Sequence, residues 1–257
     1  MIDNRYDGFK LQCKNINEYN ILSFKKNGYL KGIVENVSYE YGLKYLNNIT
    51  KYNMNLNWDI ISKINNIGDP LNYEYSINNT KIMLSPTTLR YIQYTLDILY
   101  HIKNNTKLIN VKIVEVGGGY GAQSIFLFEI CDLFNIVIDS YDILDLKEVN
   151  NLQDNYIKVC KTITNNSYNI NTYTLDDYTY ENENYFISNY ALGEFSKDWQ
   201  DLYINSVVSK IVHGYICWNF SPQIPNIHDY FNNINKIIEE ENPQTNCYPI
   251  KSYLIKY

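Results

Sequence analysis

Near residue 115 the chain ends an apolar run on a carboxylate and then places four glycines in five positions: Glu115-Val116-Gly117-Gly118-Gly119-Tyr120-Gly121. Glycine lets the main chain turn sharply and lets a ligand lie against bare backbone, with the amino end of a following helix behind it. Two chemistries use such a loop. Gly117, Gly119 and Ala122 satisfy the dinucleotide spacing G-x-G-x-x-G/A, a weak signal by itself. Glu115, Gly117, Gly119 and Gly121 also fill the acid-x-G-x-G-x-G spacing of S-adenosylmethionine sites. The acid separates the two: it can hold a cationic amino group, whereas in a dinucleotide site that place faces a pyrophosphate it would repel. A relic loop in a non-catalytic binding protein is the third reading.

A donor of this kind needs a second acid at the end of the next strand to grip its ribose hydroxyls. Asp139, Asp142 and Asp145 compete for that place, 24, 27 and 30 residues after Glu115. Asp176 or Asp177, closing a third strand, could accept from an adenine amino group. Tyr120 and Tyr190 could turn ring faces toward a sulfonium, although in a chain with 27 tyrosines packing is the ordinary role for either. Methyl transfer from a sulfonium is an in-line displacement, helped by alignment and, for a weakly acidic hydroxyl, by a base. His228, near the start of a helix on the ligand side, is a candidate base. His213 and His101 read as structural. Arg90, one of two arginines, has a planar fork suited to a carboxylate or a nucleotide diphosphate, and with Tyr91 it forms the expected substrate-facing pair. No metal constellation stands out. Isolated carboxylates suffice for magnesium, so a magnesium-assisted reaction stays open.

The elements that must hold these residues are legible from periodicity. Strands are expected at 111–116, 136–144, 169–175, 185–190 and 213–220, with a strongly apolar helix from Gln123 to Phe134. A helix at 197–210 should bury Trp199, Leu202, Tyr203, Val207 and Ile211. Ile227, Phe231, Ile234 and Ile238 suggest a last helix ended by Pro243. Before residue 105 the chain reads as short helical or irregular pieces. Trp58 to Ile67 has helical spacing stopped by Gly68-Asp69-Pro70. Ser85-Pro86 starts a helix whose Leu89, Ile92, Leu96 and Leu99 share one face. Strand and helix in alternation give an α/β fold, a mostly parallel doubly wound sheet with an N-terminal helical cap. The expected division is 1–105 for cap and substrate region and 106–257 for the Rossmann-like domain. The stretch after Pro243 looks short for a final strand pair.

Composition narrows the partners. The chain has 257 residues and a net charge of −6, which argues against a nucleic-acid-tracking surface. Abundant Tyr, Asn, Ile and Lys reflects AT-rich coding. Five scattered cysteines without a C-x-x-C pair fit reduced thiols and a cytoplasmic protein. The polar, acidic start and the lack of a long apolar run give no signal peptide and no membrane span.

Three further blocks carry a family resemblance. Asp145-Leu146-Lys147-Glu148-Val149 looks like the D-L-P-x-V turn of small-molecule O-methyltransferases, with Lys147 in the proline's place, and this favours Asp145 as the ribose acid. Together with Glu115–Gly121, Leu152-Gln153-x-x-Tyr156 and Ser188-Asn189-Tyr190-Ala191-Leu192-Gly193-Glu194-Phe195, it resembles the sugar O-methyltransferase family over roughly residues 85–220. The resemblance implies a class I methyltransferase fold, S-adenosylmethionine as donor and a saccharide hydroxyl as acceptor, and the expected acceptor is a nucleotide-linked or glycan-terminal deoxysugar. Gln123, Leu146, Asn189 and Tyr190 are expected with the glycine loop and Asp145 at the donor, Asp176 is expected there from its place at the end of the third strand, and the resemblance makes Glu194 the first choice of base ahead of His228. Amino-methylating nucleic-acid enzymes carry N-P-P-Y or D-P-P-Y where this chain has Ser188-Asn189-Tyr190-Ala191, so DNA and RNA are not expected substrates. A non-sugar acceptor such as a phenol is the runner-up, and a homodimer is a compatible assembly.

Overall fold

Side-chain parity along the strands decides which residues can reach the site. The computed structural model describes residues 4–77, 80–219, 236–245 and 251–257. Its elements are α1 (Asn4–Lys14), α2 (Gly28–Val34), α3 (Tyr39–Lys51), α4 (Trp58–Asn66), β1 (Tyr73–Ile77), β2 (Thr80–Leu84) and α5 (Pro86–Asn105). There follow β3 (Asn110–Val116), α6 (Ala122–Ile130), β4 (Val137–Leu144), α7 (Lys147–Thr164), β5 (Ile170–Tyr173) and β6 (Tyr185–Asn189). The last are α8 (Ala191–Glu194), α9 (Lys197–Ser206), β7 (His213–Asn219), β8 (Ile237–Glu240) and β9 (Ser252–Lys256).

Seven strands form one sheet in the order β5-β4-β3-β6-β7-β9-β8. The first five run parallel, and β9 is antiparallel to both β7 and β8. This is the mostly parallel, doubly wound α/β sheet expected. The order reverses between β3 and β6, so their carboxyl ends open the crevice where such sheets bind ligands. On one face Val111, Ile113, Tyr141, Ile143, Tyr185 and Ile187 pack under α5, α6 and α7. On the other, Val114, Val116, Leu144, Phe186, Ile216 and Trp218 pack with Tyr203, Val207 and Ile211. Glu115 and Asp145 share the odd parity of Ile113 and Ile143, so both carboxyls project toward the α5 side. Asp142 points to the opposite face, where Asn171 Nδ2 donates to it at 2.9 Å.

The helix starting at Ser85 forms as its cap predicts. Ser85 Oγ accepts from the Thr88 N–H at 3.1 Å, and Pro86 occupies the first turn. Leu89, Ile92, Leu96 and Leu99 are fully buried. The N-terminal pieces resolve into four α-helices and an antiparallel β1–β2 hairpin that the sequence reading passed over. Phe9, Ile21, Leu30, Tyr45 and Ile64 share one apolar cluster with Ile113 and Phe126 of the sheet region.

Two expectations are corrected. Ile238 lies in strand β8, not in a helix, because its segment pairs with β9 through Ile238↔Ile255; residues 227–235 lie outside the described residues. The final strand pair therefore starts before Pro243. In α9, Tyr203 and the following Val207 and Ile211 are buried, whereas Trp199 and Leu202 are 54% and 43% exposed. Trp199 instead joins the wall of the cavity described below.

A buried cation ties the cap to the glycine loop. Lys25 has no exposed side-chain surface, and its Nζ lies 3.5 Å from the Glu35 carboxylate. It donates to Asn65 O at 3.3 Å and sits 4.7 Å from the centre of the Tyr120 ring. Tyr120 OH in turn donates to Glu35 at 2.9 Å. Burial pushes the Lys25 ammonium down from its ordinary range, and Glu35 opposes that shift. Removing one member of such a pair leaves an uncompensated charge, while replacing both with apolar groups removes the desolvation cost as well. Glu35→Ala is therefore expected to lower unfolding free energy by about 3–5 kcal/mol. The double change Lys25→Met with Glu35→Leu should recover most of that loss. Denaturant midpoints of the three proteins check both statements.

Candidate functional site

The crevice at the strand ends opens into a cavity of about 1100 Å³, at the upper end of small-molecule sites and ample for two ligands side by side. Its floor is the loop Gly117–Gly119 with Leu144, Asp145 and Leu146. One wall runs from Asn189 through Glu194 and Phe195 to Trp199, Tyr203 and Asn219. The facing wall comes from the cap and α5 and includes Tyr6, Asn36, Tyr41, Tyr45, Arg90 and Tyr91.

The loop is pinned to β4 by the Gly117 N–H, which donates to Leu144 O at 3.0 Å. Gly117 has φ +75°, and a Cβ there would stand 2.1 Å from Ala191 Cβ, so only glycine lets the loop pass the start of α8. Gly119 also has positive φ, +57°, yet a Cβ on it would meet nothing nearer than 3.4 Å. Its bare backbone faces the cavity, as a ligand-approach position requires.

Two carboxyls flank that backbone. Glu115 is buried and accepts from Tyr141 OH at 2.9 Å; burial pushes its carboxyl up to about 8, the Tyr141 bond opposes the shift and the Asp145 charge adds to it. Asp145 accepts from the Leu146 N–H at 2.8 Å, from Gln153 Nε2 at 3.0 Å and from the Gly118 N–H. Its enclosure by protein still raises it to about 7 against those three bonds. Gln153 also donates to Gly119 O at 3.0 Å, bridging the acid and the loop.

On the other wall Asn219 Nδ2 donates to Glu194 at 2.5 Å, while desolvation holds the Glu194 carboxyl above its ordinary range. Tyr190 has φ +68°, an uncommon backbone for a bulky residue. It is held by its N–H to Cys217 O at 2.8 Å and by its hydroxyl, which with that of Tyr94 donates to the buried Glu241. Thr245 Oγ1 bonds the other Glu241 oxygen at 2.5 Å. Arg90 lies over the Tyr190 and Tyr91 rings, 5.5 and 5.8 Å from their centres, and reaches Asn36 Oδ1 at 3.4 Å.

Glu115, Gly117, Gly118, Gly119, Asp145, Leu146, Asn189, Tyr190, Glu194, Arg90 and Tyr91 are thus brought to one cavity. Four expected residues are not. Tyr120 is buried among Phe24, Tyr91 and Tyr156 and bound to Glu35, because its side chain points away from the loop's open side. Gly121 caps α6 behind the loop. Gln123 is fully buried, donating to Thr95 at 2.7 Å and accepting from Asn189 at 3.4 Å, so it orients Asn189 and does not reach the cavity. Asp176 lines a separate concavity of about 320 Å³ with Leu175, Tyr178 and Lys210. His228 lies outside the described residues. His213 opens β7, and His101 Nδ1 is 2.7 Å from Tyr185 OH, with burial lowering the imidazole to about 4.

The sequence reading missed Asn219, Trp199 and Tyr203 as wall residues and used Gln153 only as a motif letter. Gln153 stands in α7 eight positions after Asp145, too far for a helical i,i+4 contact, and it is the turn into α7 that brings the two together. Among the described residues no group of three or more His, Cys, Asp or Glu could hold a metal ion, and no helix is long and apolar enough to cross a membrane. The four described cysteines are all buried and unbridged.

No family model matches this sequence, and none of the curated proteins does. Solved structures similar to it include a magnesium protoporphyrin IX methyltransferase from Synechocystis PCC 6803 with bound SAM, at 10% identity and TM-score 0.48, covering 81% of this chain and 95% of that one. An rRNA methylase from Streptococcus thermophilus is 14% identical with TM-score 0.44, covering 65% of this chain and 95% of that one. A mitomycin 7-O-methyltransferase is 10% identical with TM-score 0.42, covering 67% of this chain and 54% of that one. At such values these likenesses fix neither the donor nor the acceptor of this chain.

Proposed function

We propose that the protein is an S-adenosylmethionine-dependent O-methyltransferase whose acceptor is a sugar hydroxyl. The observation that carries this reading is the pair Glu115 and Asp145, two carboxyls with raised proton affinity facing one side of a bare glycine backbone. Enclosed carboxyls of this kind oppose a phosphate and favour a cation with hydrogen-bond donors. The donor fits the residues present: Asp145 would accept from the ribose hydroxyls, and Glu115 would face the ammonium group of the methionine end. Gly119 allows close approach, and the buried, unpartnered Asn189 Oδ1 supplies a further acceptor. Leu146, Phe195, Trp199 and Tyr203 offer an apolar, aromatic wall for the base ring, the place first sought at Asp176. The sulfonium supplies an activated methyl group. Glu194 would take the proton of the acceptor hydroxyl as the hydroxyl oxygen bonds the methyl carbon and the carbon–sulfur bond breaks to leave the neutral thioether S-adenosylhomocysteine, and Asn219 holds the Glu194 carboxylate in place. The acceptor wall combines ring faces with hydroxyls, suited to the CH and OH faces of a sugar.

Three outcomes test this reading. Gly119→Arg should abolish calorimetric S-adenosylmethionine binding in a protein that still unfolds cooperatively, with a thermal midpoint a few degrees lower because a side chain at φ +57° is strained even though its first atom meets nothing nearer than 3.4 Å. Retained binding would remove the loop from the site. Glu194→Gln should lower turnover by ~10²–10⁴-fold with donor affinity nearly unchanged, read from S-adenosylhomocysteine formation with a panel of sugars and nucleotide sugars.

The third outcome is a pH effect. Above about pH 6.5 the unfolded chain holds at most half a proton on His101, less than the folded chain keeps on Glu115 and Asp145, so its opposing slope fades without reversing theirs. From there to about pH 8 the folded, ligand-free protein keeps protons on Glu115 and Asp145 that the unfolded chain has lost. Its thermal midpoint is therefore expected to fall as the pH rises through that window. Donor affinity should rise over the same window. Calorimetry in two buffers of different ionisation enthalpy should show proton release on binding.

A further inference from the structure

Arg90 is the exception to the charge of the cavity. The other charged residues lining it, Glu115, Asp145 and Glu194, are all carboxylic acids. Arg90 forms no ion pair with them, nor with any other described residue. Its surroundings are neutral: the Asn36 carbonyl oxygen at 3.4 Å and the rings of Tyr91 and Tyr190. Flat ring faces on a guanidinium leave its edge of N–H donors directed outward, and that fork matches a carboxylate or phosphate. The same wall holds a second donor. Tyr45 is fully buried, lines the cavity, and its hydroxyl has no hydrogen-bond partner among the described residues. A buried hydroxyl without a partner costs free energy that a ligand oxygen would recover.

We propose that Arg90 and Tyr45 form an oxyanion subsite, so that the acceptor is an anionic molecule held by its carboxylate or phosphate. As a statement about the acceptor it rests on the methyltransferase reading above; as a statement about anion binding it stands on Arg90 and Tyr45 alone. The subsite answers an electrostatic need. Each acid lining this cavity repels an anionic acceptor when it is ionised, and a guanidinium in a partly desolvated wall offsets that repulsion. A carboxylate of a uronic acid and the diphosphate of a nucleotide sugar present the same oxygen chemistry to such a fork.

The test is titration calorimetry of the full chain with UDP and, separately, with D-glucuronate, each with and without saturating S-adenosylhomocysteine. At least one probe is expected to bind wild type, and the tighter one identifies the source of the oxyanion. Arg90→Met should weaken that probe by about 10–100-fold, and Arg90→Lys, which keeps the charge but loses the fork, by less. Tyr45→Phe should weaken it several-fold. None of the three should change S-adenosylhomocysteine affinity. Wild type binding neither probe, or binding unchanged in a folded Arg90→Met protein, overturns the subsite. If Arg90→Met does not fold, unchanged binding in Arg90→Lys and Tyr45→Phe together does the same. Arg90-dependent probe binding without S-adenosylhomocysteine binding would keep the subsite and remove the methyltransferase reading instead.

Discussion

The site depends on the stitch between the glycine loop and the carboxyl end of β4. The Gly117 N–H reaches Leu144 O, the Gly118 N–H reaches Asp145, and Gln153 spans Asp145 and Gly119 O. These bonds fix the register in which Glu115 and Asp145, each at a strand end, fall on one face of the sheet. Their closeness is unfavourable for the ligand-free protein: burial raises Glu115, and the Asp145 charge raises it further. The sheet supplies the rigidity that tolerates this, since the strands on both sides are buried on both faces. A cation beside the two acids would oppose that rise and favour their ionised forms.

Much of this was legible in the sequence because the relevant signals are local. An apolar strand, a terminal acid and clustered glycines sit in consecutive positions, and Ser85-Pro86 announces α5 within two residues. The choice of Asp145 over Asp139 and Asp142 rested on the resemblance of the Asp145–Val149 block, and the fold supplies its geometry. Period-two parity sends Asp142 to the far face, where it pairs with Asn171, and leaves Asp145 at the glycine loop. The misplaced residues share one cause. Tyr120 and Gln123 belong to the glycine segment by sequence, but their side chains leave the loop on its closed side, one bound to Glu35 and the other to Thr95. Trp199 erred in the other direction: helical spacing marked it as core, yet in the fold that face of α9 borders a cavity. Ile238 was assigned by period 3.6 to a helix, whereas its pairing partner in β9 lies 17 residues further on.

The cap is coupled to the loop by polar contacts inside an apolar cluster. Lys25 has its charge buried against Glu35, Asn65 and the Tyr120 ring. An apolar contact would tolerate sliding of the cap across the loop; a buried ion pair with one satisfying geometry does not. Val34, at the end of α2, would lie 3.7 Å from a Cβ on Gly119, so the register of the cap sets the height of the cavity roof above the ligand-approach position. The Lys25–Glu35–Tyr120 group thus acts on the site through position, without reaching the cavity floor.

That roof also gives the cavity its electrical polarity. Carboxyls come from strand ends and from α8, while the guanidinium comes from α5 and its neutral neighbours Asn36 and Tyr45 come from the cap. The two charge types therefore reside on different layers of the fold, and a ligand pair lying between them is oriented without any residue having to move. On the proposed reading a cationic donor would settle toward the sheet and an anionic acceptor toward α5, with Glu194 on the adjoining wall to receive its proton. In-line transfer requires the acceptor oxygen to approach the methyl carbon from the side opposite sulfur. In the proposed reaction a field running from the carboxyls to Arg90 would align both ligands along one axis, so the charge separation that sorts them would also set the direction of attack.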